Sequence, residues 1–291
     1  MDRQDWKDAA GALGRRQVVR QRVLVPPFLG SNPSGPVLRD SCVTPSPLLV
    51  FDFDGVLVDG MAEYWWAARQ AVLKLRPDLT LPEQAPVAFA RLRPLIHKGW
   101  EMVLVAAELT RSSSDLTAPG ADYDEALAST LAHWGWSPET LQTTLEEVRR
   151  QAIAADRRHW LALHRPYPGV PQRLRALAAE AADWAVLTTK GGAFARELLV
   201  AQGLDPLYTF GHEDGSKPEV LLRLRALQRP LWFIEDRRPT LEAVRATAGL
   251  EAVRCFLVSW GYLGPHDLIA LPEGLAVLEP AAFAAPLATW P

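Results

Sequence analysis

The stretch 48-LLVFDFDGVLVDG-60 sets the frame for the whole chain. Leu48, Leu49, Val50, Phe51 and Phe53 are apolar, with β-branched and aromatic members that suit a buried strand, and Gly55 is a natural stop. Residues two apart on a strand project to the same side, so Asp52 and Asp54 arrive together where the strand meets its loop. Two neighbouring carboxylates repel, and the arrangement calls for a protonated member or a cation between them. A bare Asp-x-Asp is common by chance and Asp-Gly is ordinary turn chemistry, so the meaning of the pair depends on its context.

Downstream the texture turns helical. The segments 61-MAEYWWAARQAVLKL-75, 82–109, 123-YDEALASTLAHWG-135 and 137–164 carry apolar residues at three-and-four spacing. Ser137-Pro138-Glu139 reads as a helix start, with a capping hydroxyl, a first-turn proline and an early acid. No strand is expected between residue 60 and about 165. From 167-YPGVPQRLRALAAE-180 onward the pattern alternates. Strands are expected at DWAVLTTK (183–190), near LYTFGHE, at PLWFIED (230–236), at AVRCFLVSWGY and at LAVLEP, with helices AFARELLVAQGL, PEVLLRLRALQ and PTLEAVRATAGL between them.

This alternation predicts an α/β fold: a Rossmann-like parallel sheet covered by helices on both faces, with an all-helical cap domain inserted after the first strand. The boundaries expected are a flexible tail over 1–47, a discontinuous core of 48–59 and 166–291, and a cap over 60–165. The tail assignment rests on the proline- and serine-rich GSNPSGP and TPSP runs.

An open parallel sheet presents its ligand site at the carboxyl ends of its strands. The polar residues expected there are Asp52 and Asp54, then Thr188, Thr189 and Lys190, then Glu235 and Asp236. Lys217 joins them at the start of the following helix. Gly191 and Gly192 would leave backbone amides free for an anion ahead of a helix beginning near Ala193.

Composition excludes several classes. The 291 residues are 48% hydrophobic and 22% charged, with a formal charge of -3, which gives no electrostatic reason for a nucleic-acid or anionic-membrane partner. No run approaches the ~20 apolar residues of a spanning helix. Cys42 and Cys255 are too few and too distant for a disulfide framework, which favours a reducing, cytoplasmic location.

With these residues assembled, the chain resembles the haloacid dehalogenase (HAD) superfamily, in the branch of phosphoglycolate phosphatase and β-phosphoglucomutase. DFDGVLVDG resembles its first motif, VLTTK its second, SKPE its third and WFIEDRRPT its fourth; YPGV at 167–170 and VSWGYLG at 258–264 also resemble segments of that branch. The resemblance implies Asp52 as nucleophile, Asp54 as general acid/base, and Thr188 and Lys217 on the phosphoryl group. Thr189 and Lys190 would contact substrate. Mg2+ would be held by Asp52, Asp54 and Asp236, with Glu235 as a further candidate ligand. The implied activity is hydrolysis of a small phosphorylated metabolite through an aspartyl-phosphate, by a monomer or weak dimer. A phosphomutase of the same family is the alternative. Asp54 favours phosphate chemistry, since family members acting on haloacids lack this second aspartate.

The fourth motif departs from the usual pattern, with Glu235 in place of glycine and Thr240 where a second aspartate is usual. Strand alternation would send Glu235 and Asp236 to opposite sides. The resemblance also admits two adjacent acids at this place, with Glu235 beside Asp236 as the metal pair; the alternative is that Glu235 pairs with Arg237 or Arg238 and only Asp236 faces the metal, and a non-catalytic binding protein is the reading that follows from a degraded motif. In the helical block, Trp65, Trp66, Trp100, Trp134, Trp136 and Trp160 are expected mainly as packing, with one or two in the pocket. Arg91, Arg93, His97 and Lys98 suit either an anionic substrate or a solvated helix face.

Overall fold

The apolar run at 48–51 does form a strand, and every other element is arranged around it. The computed structural model describes residues 46–111, 116 and 122–291. Strand β1 (Leu48–Phe51) and the two-residue β2 (Val58–Asp59) lead into helices α1 (Met61–Leu75), α2 (Val87–Leu92), α3 (Gly99–Glu108), α4 (Tyr123–Trp134) and α5 (Pro138–Ala162). Next come β3 (Arg165–Pro166), α6 (Val170–Ala176), β4 (Asp183–Leu187), α7 (Gly192–Ala201) and β5 (Tyr208–Phe210). The chain closes with α8 (Lys217–Leu224), β6 (Leu231–Glu235), α9 (Arg238–Ala246), β7 (Arg254–Val258), β8 (Leu275–Leu278) and α10 (Pro280–Ala284).

Six strands form one parallel sheet in the order β5-β4-β1-β6-β7-β8. The chain builds outward from β1 to one edge, then returns to fill the other, so β1 lies where the strand order reverses. Register sets the level of the site. Phe51 lies opposite both Val186 and Ile234, and the Asp52 amide extends that ladder by donating to the Ile234 carbonyl at 2.8 Å. Asp52, Thr188 and Glu235 therefore leave the sheet at one edge.

Side chains of β1 alternate between two apolar layers. Leu49 and Phe51 pack with Val170, Leu174, Ala195 and Leu198 from α6 and α7. Leu48 and Val50 pack with Val220, Leu224, Leu241 and Val244 from α8 and α9. Burial on both faces explains why the strands read as continuous apolar runs.

The helical insertion between β2 and β3 has its own core, built on Trp65, Phe89, Leu104, Leu141 and Leu145. Trp66, Trp100, Trp134 and Trp136 pack against it, while Trp160 meets His164 edge-on and Phe194 at a tilt. Two details differ from the sequence reading. The insertion is entered and left through an antiparallel ribbon, Val58 opposite Pro166 and Asp59 opposite Arg165, too short to leave a periodic signal. Helix α5 is broken at Asp156 (φ -152°, ψ 84°). There the Asp156 carboxylate accepts from the His159 amide at 2.9 Å and restarts the helix as a new N-cap.

The expected tail lies outside the described residues except for Ser46 and Pro47, whose carbonyls accept hydrogen bonds from Arg229. Among the described residues no helix is long and apolar enough to cross a membrane.

Candidate active site

Strand β1 ends at Phe51, and the chain turns through Asp52, Phe53 and Asp54 into Gly55. Gly55 has φ +84°, a left-handed conformation that glycine adopts without steric cost. A Cβ there would come within 1.9 Å of Asp236 Oδ2, so the turn lies directly against the end of β6.

Lys217 is the first residue of α8, a start fixed by a capping box in which Ser216 and Glu219 satisfy each other's backbone amides. Its ammonium lies 2.8 Å from Asp52 Oδ1 and 2.6 Å from Glu235 Oε2. Burial opposes its charge, but the two carboxylates outweigh that and hold its pKa above the ordinary lysine value. Asp52 is 6% exposed; burial, then the Glu235 charge, push its carboxyl up to about 7 against the pull of Lys217. Burial and the charges of Glu235 and Asp52 raise Asp236 well above the usual carboxylate range.

Glu235 and Asp236 do not point apart. Strand β6 ends at Glu235, so pleat alternation does not govern Asp236, and both acids enter the site. Glu235 is fully buried. Its Oε1 accepts from the backbone amides of Asp236 and Arg237 at 3.1 and 3.2 Å, not from a guanidinium. The Arg237 side chain reaches the Ile96 carbonyl and His97 instead. Asp52, Glu235 and Asp236 each place a carboxylate oxygen within 4.8 Å of the other two. Three acids grouped beside one lysine repel one another when ionised, which helps raise Asp52 and Asp236, and an all-oxygen donor set fits a hard divalent cation such as Mg2+.

The Asp54 carboxylate stands outside that group. Lys190 Nζ is 3.3 Å from its Oδ1, too poorly aligned for a hydrogen bond, so this buried oxygen has no hydrogen-bond partner. Thr188 is buried. Its hydroxyl oxygen accepts from the Lys190 amide at 3.1 Å, which leaves its O–H available to donate. Thr189 is exposed at the rim. The anion site expected at Gly191–Gly192 is already filled in part: Glu213 Oε1 accepts from the Gly192 amide at 2.8 Å. A carboxylate from the segment after β5 thus occupies the start of α7, a long-range contact that no local pattern announces.

A cleft of about 610 Å³ contains Asp52, Asp54, Thr189, Lys190, Lys217 and Asp236. From the insertion, Tyr64, Arg93, His97, Lys98 and Arg149 line it. Among the described residues no tryptophan does, and Arg91 is solvent-exposed. Tyr262, Arg149 and Arg237 are lining residues that the sequence reading did not single out as site residues. Tyr262 follows the carboxyl end of β7, so the strand-end rule that found Asp52 would also have reached it. Its amide donates to Asp236 Oδ2 at 2.8 Å, and its hydroxyl donates to Asp59 at 2.8 Å and accepts from the Gly60 amide at 2.7 Å.

The chain is similar to several known proteins. N-acetylmuramic acid 6-phosphate phosphatase of Pseudomonas aeruginosa is 27% identical over 230 residues, 75% of this chain and 84% of that protein. A predicted phosphoglycolate phosphatase from Haemophilus somnus superposes with TM-score 0.55 at 17% identity, covering 80% of this chain and 95% of that one. A haloacid dehalogenase-like family hydrolase from Streptococcus pneumoniae gives 0.51 at 16% identity, covering 81% and 95%. At those identities the two structures speak for the fold alone. The family model for haloacid dehalogenase-like hydrolases matches residues 47–246, which span β1 to α9 and every acid and lysine of the cleft; the chain belongs to the haloacid dehalogenase-like hydrolase family.

Proposed function

We propose that the protein is a Mg2+-dependent phosphomonoesterase acting on a small phosphorylated metabolite through an aspartyl-phosphate on Asp52. The observation that carries this reading is the convergence of Asp52, Lys217, Glu235 and Asp236, with Asp54 beside them but outside their charge cluster. The phosphatase named among its relatives agrees with it.

In this mechanism an Asp52 carboxylate oxygen attacks phosphorus and the ester oxygen departs. Lys217 steadies Asp52 and neutralises equatorial phosphoryl oxygens, and the free O–H of Thr188 donates to another. Asp54 gives its proton to the departing alkoxide, then takes one from the water that cleaves the acyl phosphate. Its carboxylate lines the cleft, open to both the departing oxygen and the attacking water. Lys190, with its ammonium 3.3 Å from Asp54 Oδ1, faces that carboxylate from across the cleft. A magnesium ion held by Asp52, Glu235 and Asp236 would supply the positive charge that lets an anionic nucleophile approach an anionic ester. The insertion acts as a cap, carrying the groups that meet the alcohol half of the substrate and excluding water from the intermediate.

The test is hydrolysis of para-nitrophenyl phosphate with and without magnesium, comparing wild type with Asp52→Asn. Activity that requires the metal and vanishes in the variant supports the proposal. Activity retained by Asp52→Asn removes the nucleophile and the proposal with it.

A further inference from the structure

A second cavity, of about 670 Å³, lies where the insertion rejoins the core and shares no lining residue with the cleft described above. Its walls come from the end of α5, from β3 and from the end of α7. Leu161, Ala162, Pro166, Leu198 and Ala201 make them mostly apolar.

The charges around this cavity are of one sign. Arg157, Arg158 and Arg165 line it, and no acid does. Arg157 is matched by Glu197 of α7, with Nε 2.6 Å from Oε1. Among the described residues the guanidinium groups of Arg158 and Arg165 have no ion-pair or hydrogen-bond partner. An apolar hollow edged by two unmatched guanidinium groups complements a small molecule with an anionic head and an apolar body.

The position of the cavity links it to the motion of the cap. Helix α5 breaks at Asp156, so Arg158 and Leu161 ride on the segment beyond the break. Arg165 belongs to the ribbon through which the chain returns to the core, whereas Leu198 and Ala201 are core residues of α7. Trp160 and His164 meet Phe194 of α7 with ring centroids 4.6 and 5.3 Å apart. Trp160 Nε1 and His164 Nε2 are buried without partners, so these rings meet α7 through packing alone. Phe194 in turn lies 5.6 Å from the Lys190 ammonium, which faces Asp54 at 3.3 Å.

We infer that this cavity is an effector site for a small amphipathic anion, its head held by Arg158 and Arg165 and its body laid against Leu161, Leu198 and Ala201. Bound there, the anion bridges insertion and core beside their joint and resists the opening of the cap that product release requires. Occupancy therefore lowers turnover without competing with substrate.

Isothermal titration calorimetry of the full chain with octanoate, and with uncharged octanamide, tests the site. Hydrolysis of para-nitrophenyl phosphate with magnesium tests the coupling. Wild type is expected to bind octanoate one-to-one and at least about tenfold more tightly than octanamide, the range of a charge-assisted hydrogen bond. The double variant Arg158→Glu, Arg165→Glu abolishes that preference. Ala201→Trp, which fills the cavity, weakens both ligands at least about tenfold. None of the three residues lines the catalytic cleft, so activity without octanoate is unchanged in either variant. Saturating octanoate lowers wild-type kcat at least about twofold with KM not raised, and leaves both variants unaffected. Absence of binding, binding that survives both variants, or binding with no change in kcat overturns the inference. A rise in KM alone places the anion in the catalytic cleft and overturns it too. A dimer in solution that either variant dissociates assigns the cavity to a second copy of the chain, with the same consequence. The calorimetry needs no turnover, so it decides the site separately from the phosphatase reading.

Discussion

The ammonium of Lys217 lies 2.6 Å from Glu235 Oε2, joining the first residue of α8 to the last residue of β6 inside the protein. The same ammonium is 2.8 Å from Asp52, so one cation holds two buried acids that would otherwise repel. Replacing it exposes that repulsion. Lys217→Met is expected to destabilise the metal-free protein by about 3–5 kcal/mol, the usual result of stripping a buried charge of its partner. Phosphatase activity should fall at least about 100-fold. Chemical denaturation with and without magnesium checks this, and the metal should recover part of the lost stability.

Gly55 and Asp236 are in contact across the site. Gly55→Ala places a methyl where Asp236 Oδ2 now lies and imposes φ +84° on an alanine. Asp236 must move, so the variant should need far more magnesium and lose about 100-fold or more in activity. Its circular dichroism should remain that of the wild type, since the change lies in a turn. Magnesium titration of the residual activity measures the effect.

Tyr262 ties the acid cluster to the ribbon through which the insertion is entered. Tyr262→Phe keeps the amide bond to Asp236 but deletes the hydroxyl shared by Asp59 and the Gly60 amide. The expected loss is about 1–3 kcal/mol, because a part-buried donor and acceptor are left unmatched. Thermal unfolding reads it directly.

How much of this was legible in the chain follows from the range of each interaction. Apolar runs that end in acids, hydroxyls or lysine identify the edge of a parallel sheet, and Asp52, Lys217, Glu235 and Asp236 do meet there, with Thr188 at the end of the neighbouring strand. The S-x-x-E capping box announces Lys217 locally. Glu235 was harder: alternation applies only while the strand lasts, and β6 stops at that residue. The contacts of Arg149 with Glu63 and of Glu213 with Gly192 join segments 86 and 21 residues apart. Neither carries a local pattern, because each depends on how packed elements happen to face one another.

His164 offers a pH dependence with a definite sign. It is 4% exposed, and burial, then the Lys190 charge, lower its pKa from 6.5 to about 4. The unfolded chain binds the proton more readily, so this contribution is complete above pH 6.5 and is lost as the pH falls through that value toward 4. The loss amounts to something on the order of 3 kcal/mol by the lower limit. Urea denaturation across that window should show the slope in wild type, and His164→Phe should flatten it.

The central claim is that phosphorus becomes bonded to the Asp52 carboxylate. Rapid acid quench of Asp54→Asn with a radiolabelled phosphomonoester and magnesium tests it, because removing the residue that activates water should let the intermediate accumulate. The account predicts label on the peptide carrying residues 48–60, and borohydride reduction that converts residue 52, alone among its neighbours, to homoserine. Turnover of the same ester by wild type with no protein-bound label in the variant, or with label on another side chain, would contradict it.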